Sequence, residues 1–211
     1  MDNRTGRLTR GDRWSLVAFS VAGLAIAAWI VVGATVRIVQ LAQGVDVPVA
    51  VDFLDTTVDV TLTDGSGSVP VRLDSGALTA PELTPIATVP GILGQVVLAL
   101  TVLMVVACLL LLARGIIRGE VFSRRHTVLV SVAGLGGLLG FALARFFDNM
   151  LANATVAQLT DNRLDTAVLT IEPFTWVLAA FAVAVIATAF TVGERLQREN
   201  ATLEKETEGL V

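Results

Sequence analysis

Reactive and metal-binding side chains are nearly missing from this chain. Its 211 residues include one cysteine, one histidine and no tyrosine. Cys108 has no partner for an intramolecular disulfide, so every folded segment must hold without one. His126, with no cysteine or carboxylate pattern around it, does not make a metal site. No carboxylate lies in the middle of an apolar run, which argues against a proton relay. No convergent set of acids, histidines or serine–base pairs points to an enzyme, and no cofactor is expected.

What the chain has is apolar length. It is 54% hydrophobic, above the usual share of roughly 45–50% for soluble domains. A run of about 20 uncharged apolar residues, rising about 1.5 Å each, crosses a bilayer core. Four runs qualify: 14–36, a second within 83–113, 127–144 and 173–193. Pro90 and Pro173 are each read as the first helical residue of a run, where proline loses no needed donor. A cleaved leader would need a shorter apolar core; run one is too long for that, and Arg37 follows it, so it is read as a retained helix.

The connecting segments alternate in charge. The N-terminal tail carries Arg4, Arg7, Arg10 and Arg13, and the segment after run two carries Arg114, Arg118, Arg124 and Arg125. Basic residues near span ends stay inside. The segment 44–89 carries seven acids against Arg72 alone, and the segment after run three carries Asp148, Asp161, Asp165 and Glu172 against Arg163. These acidic segments are expected outside. The predicted order is a cytoplasmic tail 1–13, helix 1 with its outer extension 14–43, an extracytoplasmic β segment 44–89, helix 2 at 90–113 and a basic cytoplasmic loop 114–126. Helix 3 follows at 127–147, then a second outer loop 148–172, helix 4 at 173–193 and a cytoplasmic helical tail 194–211. The expected fold class is membrane all-α, a four-transmembrane-helix bundle with a small extracytoplasmic antiparallel β element between helices 1 and 2.

The first outer segment alternates with period two, as strands do. Val58, Val60 and Leu62 alternate with polar residues, as do Val69, Val71 and Leu73, with Asp64-Gly65-Ser66-Gly67 as the turn between them. Closing the hairpin on this turn places Leu62 opposite Val69, Val60 opposite Val71, Val58 opposite Leu73 and Asp59 opposite Arg72. An opposed charge pair of that kind contributes about 0.2–1 kcal/mol. Pro70 marks an edge strand, and Val45, Val47, Val49 and Val51 alternate in a way that fits a third strand. The acids here match no calcium-loop spacing and read as a solvated surface.

Several residues lie at predicted membrane boundaries. Arg37 and Arg145 fall near the outer interface, with Asp148 three residues beyond Arg145 on the same helix face. They read as snorkelling arginines with an acidic partner; the alternative is an ion or ligand gate. Run three carries Gly134, Gly136, Gly137 and Gly140, small residues that permit close helix approach, more naturally within this chain than in a dimer seam. On the inner loop, Ser123 is placed to cap helix 3. Phe122 sits among arginines suited to anionic headgroups. In the tail, Leu196, Leu203 and Leu210 recur every seven residues with Asn200 at an inner heptad position. So short a seam reads as a solvated or partner-docking helix rather than a stable homodimer. The tail's acids outnumber its bases, so direct nucleic-acid binding is not expected.

Three features together resemble a known bacterial family. They are four spans with a large first outer loop, the stretch Ile117-Arg118-Gly119-Glu120-Val121-Phe122-Ser123, and the tail Leu203-Glu204-Lys205-Glu206-Thr207-Glu208-Gly209-Leu210-Val211. The chain is similar over most of its length to the membrane proteins called domain of unknown function 2975. The resemblance implies no activity or functional residues. It does imply a neighbourhood, because members are often encoded beside a small helix-turn-helix regulator. One lysine against fourteen arginines, with abundant Ala, Val and Gly, fits a GC-rich bacterial genome.

The expected function is therefore a non-enzymatic sensor or regulatory partner in the bacterial inner membrane, with both termini cytoplasmic. The alternative is a small transporter or an accessory subunit of one, with Arg37, Arg145 and Asp148 lining a polar path. The expected partners are the lipid bilayer, a cytoplasmic regulatory protein and, less directly, a second copy of the chain. The candidate partner contacts are Arg114, Arg118, Phe122, Arg124, Arg125, Leu196, Leu203 and Leu210.

Overall fold

The structure is a computed structural model that describes residues 10–61, 63, 67–117, 124–161 and 173–208. The described elements are, in order, α1 Arg10–Gln43, β1 Val45–Thr61, β2 Ser68–Glu82, α2 Pro85–Ile117, α3 Arg124–Ser131, α4 Gly137–Thr160 and α5 Pro173–Glu208. A π segment, Val132–Gly136, joins α3 to α4 without a break. By length and composition, four helical stretches can cross a membrane: Val17–Gln43, Pro85–Gly115, Arg124–Thr160 and Thr175–Leu196. The apolar residues of these stretches are widely exposed; Trp29 on α1 is 81% exposed, and none of the most apolar window of α5 is buried. Exposed apolar surface on that scale marks contact with lipid or another protein.

Several helix boundaries differ from the sequence reading: α1 begins at Arg10, α2 runs on to Ile117 and α3 begins at Arg124, each three or four residues beyond its expected limit. Helix α2 starts at Pro85, not Pro90. The Thr84 carbonyl accepts from the Ala87 and Thr88 amides at 2.9 and 3.0 Å and closes the first turn there. Pro90 then lies inside the helix, past its first turn, where it has no amide to give the Ile86 carbonyl. Helix α4 continues past the expected loop boundary to Thr160. Its continuation is amphipathic: Leu151, Ala152 and Val156 fall on one face and are all buried. Helix α5 starts at Pro173 and runs on through Glu208, so the tail does continue the fourth apolar helix. The expected Ser123 cap lies outside the described residues.

The β element is one long two-stranded antiparallel ribbon. Residues 45–52 pair with 75–82 as a stem, and 56–61 pair with 68–73 as a tip, with a register irregularity between Asp52 and Thr56. The valines at 45–51 thus form the stem half of β1 and not a third strand. The tip register also differs by two residues from the expected one. Val60 faces Val69, Val58 faces Val71, Asp59 faces Pro70 and Arg72 faces Thr57. A two-residue slip keeps every side chain on its own face, so alternation alone does not discriminate between the two registers. The Asp59–Arg72 pair is not formed; Arg72 Nε instead bonds Asp74 Oδ1 on its own strand at 3.0 Å.

The chain divides into two compact units. The first contains residues 1–31, 100–140 and 173–211; the second contains 32–99 and 141–172. The second unit has a continuous buried core: Leu41 from the end of α1, Val47, Val49 and Val51 from the stem, Ala87 from α2, and Leu151, Ala152 and Val156 from α4. The stem therefore folds against three helix ends, and α4 beyond residue 148 is part of the same core as the hairpin. Gly44 makes the entry turn. It sits at φ +67°, its amide caps α1 on the Gln40 carbonyl at 3.1 Å, and its carbonyl accepts from Leu83 N at 2.9 Å, the left-handed helix stop that glycine supplies. Gly91 lets α2 approach Leu41 and Leu151; a Cβ there would lie 3.0–3.2 Å from their methyl groups.

The first unit is held by close helix contacts. A Cβ on Gly134 would collide with Val183 of α5, and one on Gly140 with Thr101 of α2. A Cβ on Gly136 would lie 2.8 Å from the Met104 terminal methyl. The glycine row thus packs within the chain.

Candidate functional sites

The second unit carries a charged and polar network. Arg37, near the end of α1, donates from Nη2 to the Pro48 carbonyl of the stem at 2.5 Å and from Nη1 to Gln40 Oε1 at 3.4 Å. Arg145 on α4 pairs with Asp52 at the top of the stem, Nη2 to Oδ2 at 2.6 Å. The two side chains are 45% and 27% exposed, so this pair is partly shielded from solvent. Asp148 lies one helical turn further, in the field of both Arg145 and Arg37, with Oδ1 3.0 Å from the Cβ position of Gly94 on α2. The three residues predicted to cluster are therefore together, but Arg145 bonds the stem and not Asp148. Next to Asp148 in the chain, Asn149 Nδ2 is buried with no protein partner, and so is Asn153 Oδ1 one turn beyond Asn149.

Sequence reasoning missed Asp52 and Gln158. The Gln158 amide, near the end of α4, donates from Nε2 to the Glu82 carbonyl at 2.9 Å, and its Oε1 accepts from Thr84 N at 3.3 Å. One side chain so holds both sides of the β2–α2 junction. Neither contact has a sequence signal, because the partners lie 74 to 93 residues apart.

The first unit contains a basic cavity of about 730 Å³ between the end of α2 and the start of α3. Arg114 from α2 and Arg124 and Arg125 from α3 line it, with Leu111, Val128 and Leu129 as an apolar wall. His126 is only 3% exposed and also lines the cavity. Its imidazole occupies the place where a Cβ on Gly115 would sit, so only glycine at 115 lets α2 come this close. Of the predicted partner contacts, Arg114, Arg124 and Arg125 meet at this cavity. Leu196 and Leu203 are 55% and 60% exposed on α5. Arg118, Phe122 and Leu210 lie outside the described residues.

Compared with protein-family models, curated proteins and solved structures, the chain gives no match.

Proposed function

We propose that the protein is a multi-pass protein of the bacterial inner membrane, with both termini cytoplasmic, acting as a non-enzymatic sensor or regulatory partner. The alternating loop charges support the orientation. The observation that carries the function is the attachment of the ribbon. Asp52–Arg145 and the Gln158 amide tie an exposed acidic hairpin to α4, a helix in an apolar stretch long enough to span. Whatever binds the hairpin acts on that helix through fixed bonds rather than through a loose linker. The extension of α5 past its apolar part offers Leu196 and Leu203 to a cytoplasmic protein. The resemblance to domain of unknown function 2975 makes a small helix-turn-helix regulator the first partner to seek.

Two variants test this: deletion of residues 197–211, and Asp52→Asn combined with Gln158→Ala. Both should change the transcripts that respond to loss of the whole protein, and the deletion should release a co-purifying cytoplasmic partner. If both variants behave as wild type in transcription and in co-purification, the sensor reading is wrong.

A transporter or transporter subunit is the second reading. It is favoured by Asn149 and Asn153, whose buried atoms lack protein partners close to Asp148. On that reading Arg145→Glu abolishes solute flux in reconstituted vesicles; unaltered flux would remove it.

A further inference from the structure

The cavity between α2 and α3 has two chemistries arranged in order along each helix. On α2, Leu111 lies one turn before Arg114, toward the apolar stretch. On α3, Val128 and Leu129 lie one turn after Arg124 and Arg125, again toward the apolar stretch. Each guanidinium therefore stands above an aliphatic side chain one turn deeper. The described lining residues include no carboxylate. Arg114, Arg124 and Arg125 are exposed and available, and the volume suits a small amphiphile.

A free anion would use the arginines and leave the apolar wall in water. An apolar ligand would use the wall and gain nothing from three cations. We propose that this cavity holds the headgroup of an acidic phospholipid, its phosphate on Arg114, Arg124 and Arg125 and the start of its acyl chains along Leu111, Val128 and Leu129. Guanidinium forks bind phosphate oxygens with charge-assisted hydrogen bonds, and basic pockets between membrane helices take such headgroups. His126, seated against Gly115, closes part of the cavity wall and fixes the spacing of the two helices. The site rests on the chain being a membrane protein, but not on its acting as a sensor or on any protein partner.

The test uses the full chain, purified in mild detergent after exchange into mixed phosphatidylcholine and phosphatidylglycerol, with retained lipid counted by native mass spectrometry. The wild-type chain should keep phosphatidylglycerol over phosphatidylcholine. The triple variant R114Q/R124Q/R125Q should lose at least about tenfold of that retention, as expected when charge-assisted bonds go. R114K/R124K/R125K should keep most of it, since lysine still binds phosphate as a point charge. R72Q, on the hairpin, should match wild type and serves as the comparison. Equal retention by wild type and the glutamine variant would overturn the proposal. So would displacement of the lipid by millimolar inorganic phosphate, which would assign the cavity to a soluble anion. Release of the chain from membranes by alkaline carbonate would sink the membrane reading itself. A membrane-embedded chain without selective lipid would sink only this site.

Discussion

The two units of this chain cohere by different means. The unit around the hairpin stem buries a continuous aliphatic core, with Leu41, Val47, Val49 and Val51 all nearly inaccessible. The unit containing α5 buries little; it brings helices together where Gly134, Gly136 and Gly140 let side chains sit against the backbone. A core that excludes water is driven by burial of apolar area. On the membrane reading proposed above, the helices of the first unit gain nothing from that and associate through close packing at small residues.

The sharpest way to break this contrast is to place a charge in the aliphatic core. Val49→Asp should cost about 3–5 kcal/mol, because an unpaired carboxylate has no compensation there. Limited proteolysis in native membranes should then cut the hairpin, while the cavity at Gly115 and His126 stays intact to lipid binding. Next in size, Gly140→Leu should cost about 1–3 kcal/mol through overpacking against Thr101. Gly33→Leu, where nothing lies within 4 Å, should cost far less; equal losses in detergent unfolding would remove close packing as the cause. A double-mutant cycle on Asp52 and Arg145 should give a coupling of about 0.5–1 kcal/mol, since both groups keep some solvent. Smallest of all, Arg72→Ala should stay within about 0.5 kcal/mol of wild type. Its bond to Asp74 is highly exposed, and a larger loss would show that the guanidinium's other contacts carry weight.

The apolar helices were legible because length and composition alone define them. The strands were legible from alternation, but the pairing was not. The Asp59–Arg72 pair favoured one register, yet Arg72 has a closer acid on its own strand, and a slip of two residues leaves the pattern of faces unchanged. The helical extension to Thr160 did have a signal. Leu151, Ala152 and Val156 recur at helical spacing, but Arg145 and Asp148 made the segment read as an outer loop. At the candidate sites, Arg37, Arg145 and Asp148 do lie near one another, and Arg114, Arg124 and Arg125 do share a cavity. Asp52 and Gln158 were invisible, because hydrogen bonds between distant segments leave no local pattern. Gly115 was equally silent: its role depends on where His126 comes to rest.

The π segment Val132–Gly136 inserts a wide turn between the basic start of α3 and the glycine row of α4. A turn that carries one residue too many is slack in the winding. The wide turn absorbs its extra residue locally, so Arg124 and Arg125 on one side and Gly140 on the other keep their faces. Deleting one residue within the segment should therefore leave a regular helix with lipid retention and helix packing both kept, whereas the same deletion in a regular stretch of α4 would turn its two sides by about 100° against each other.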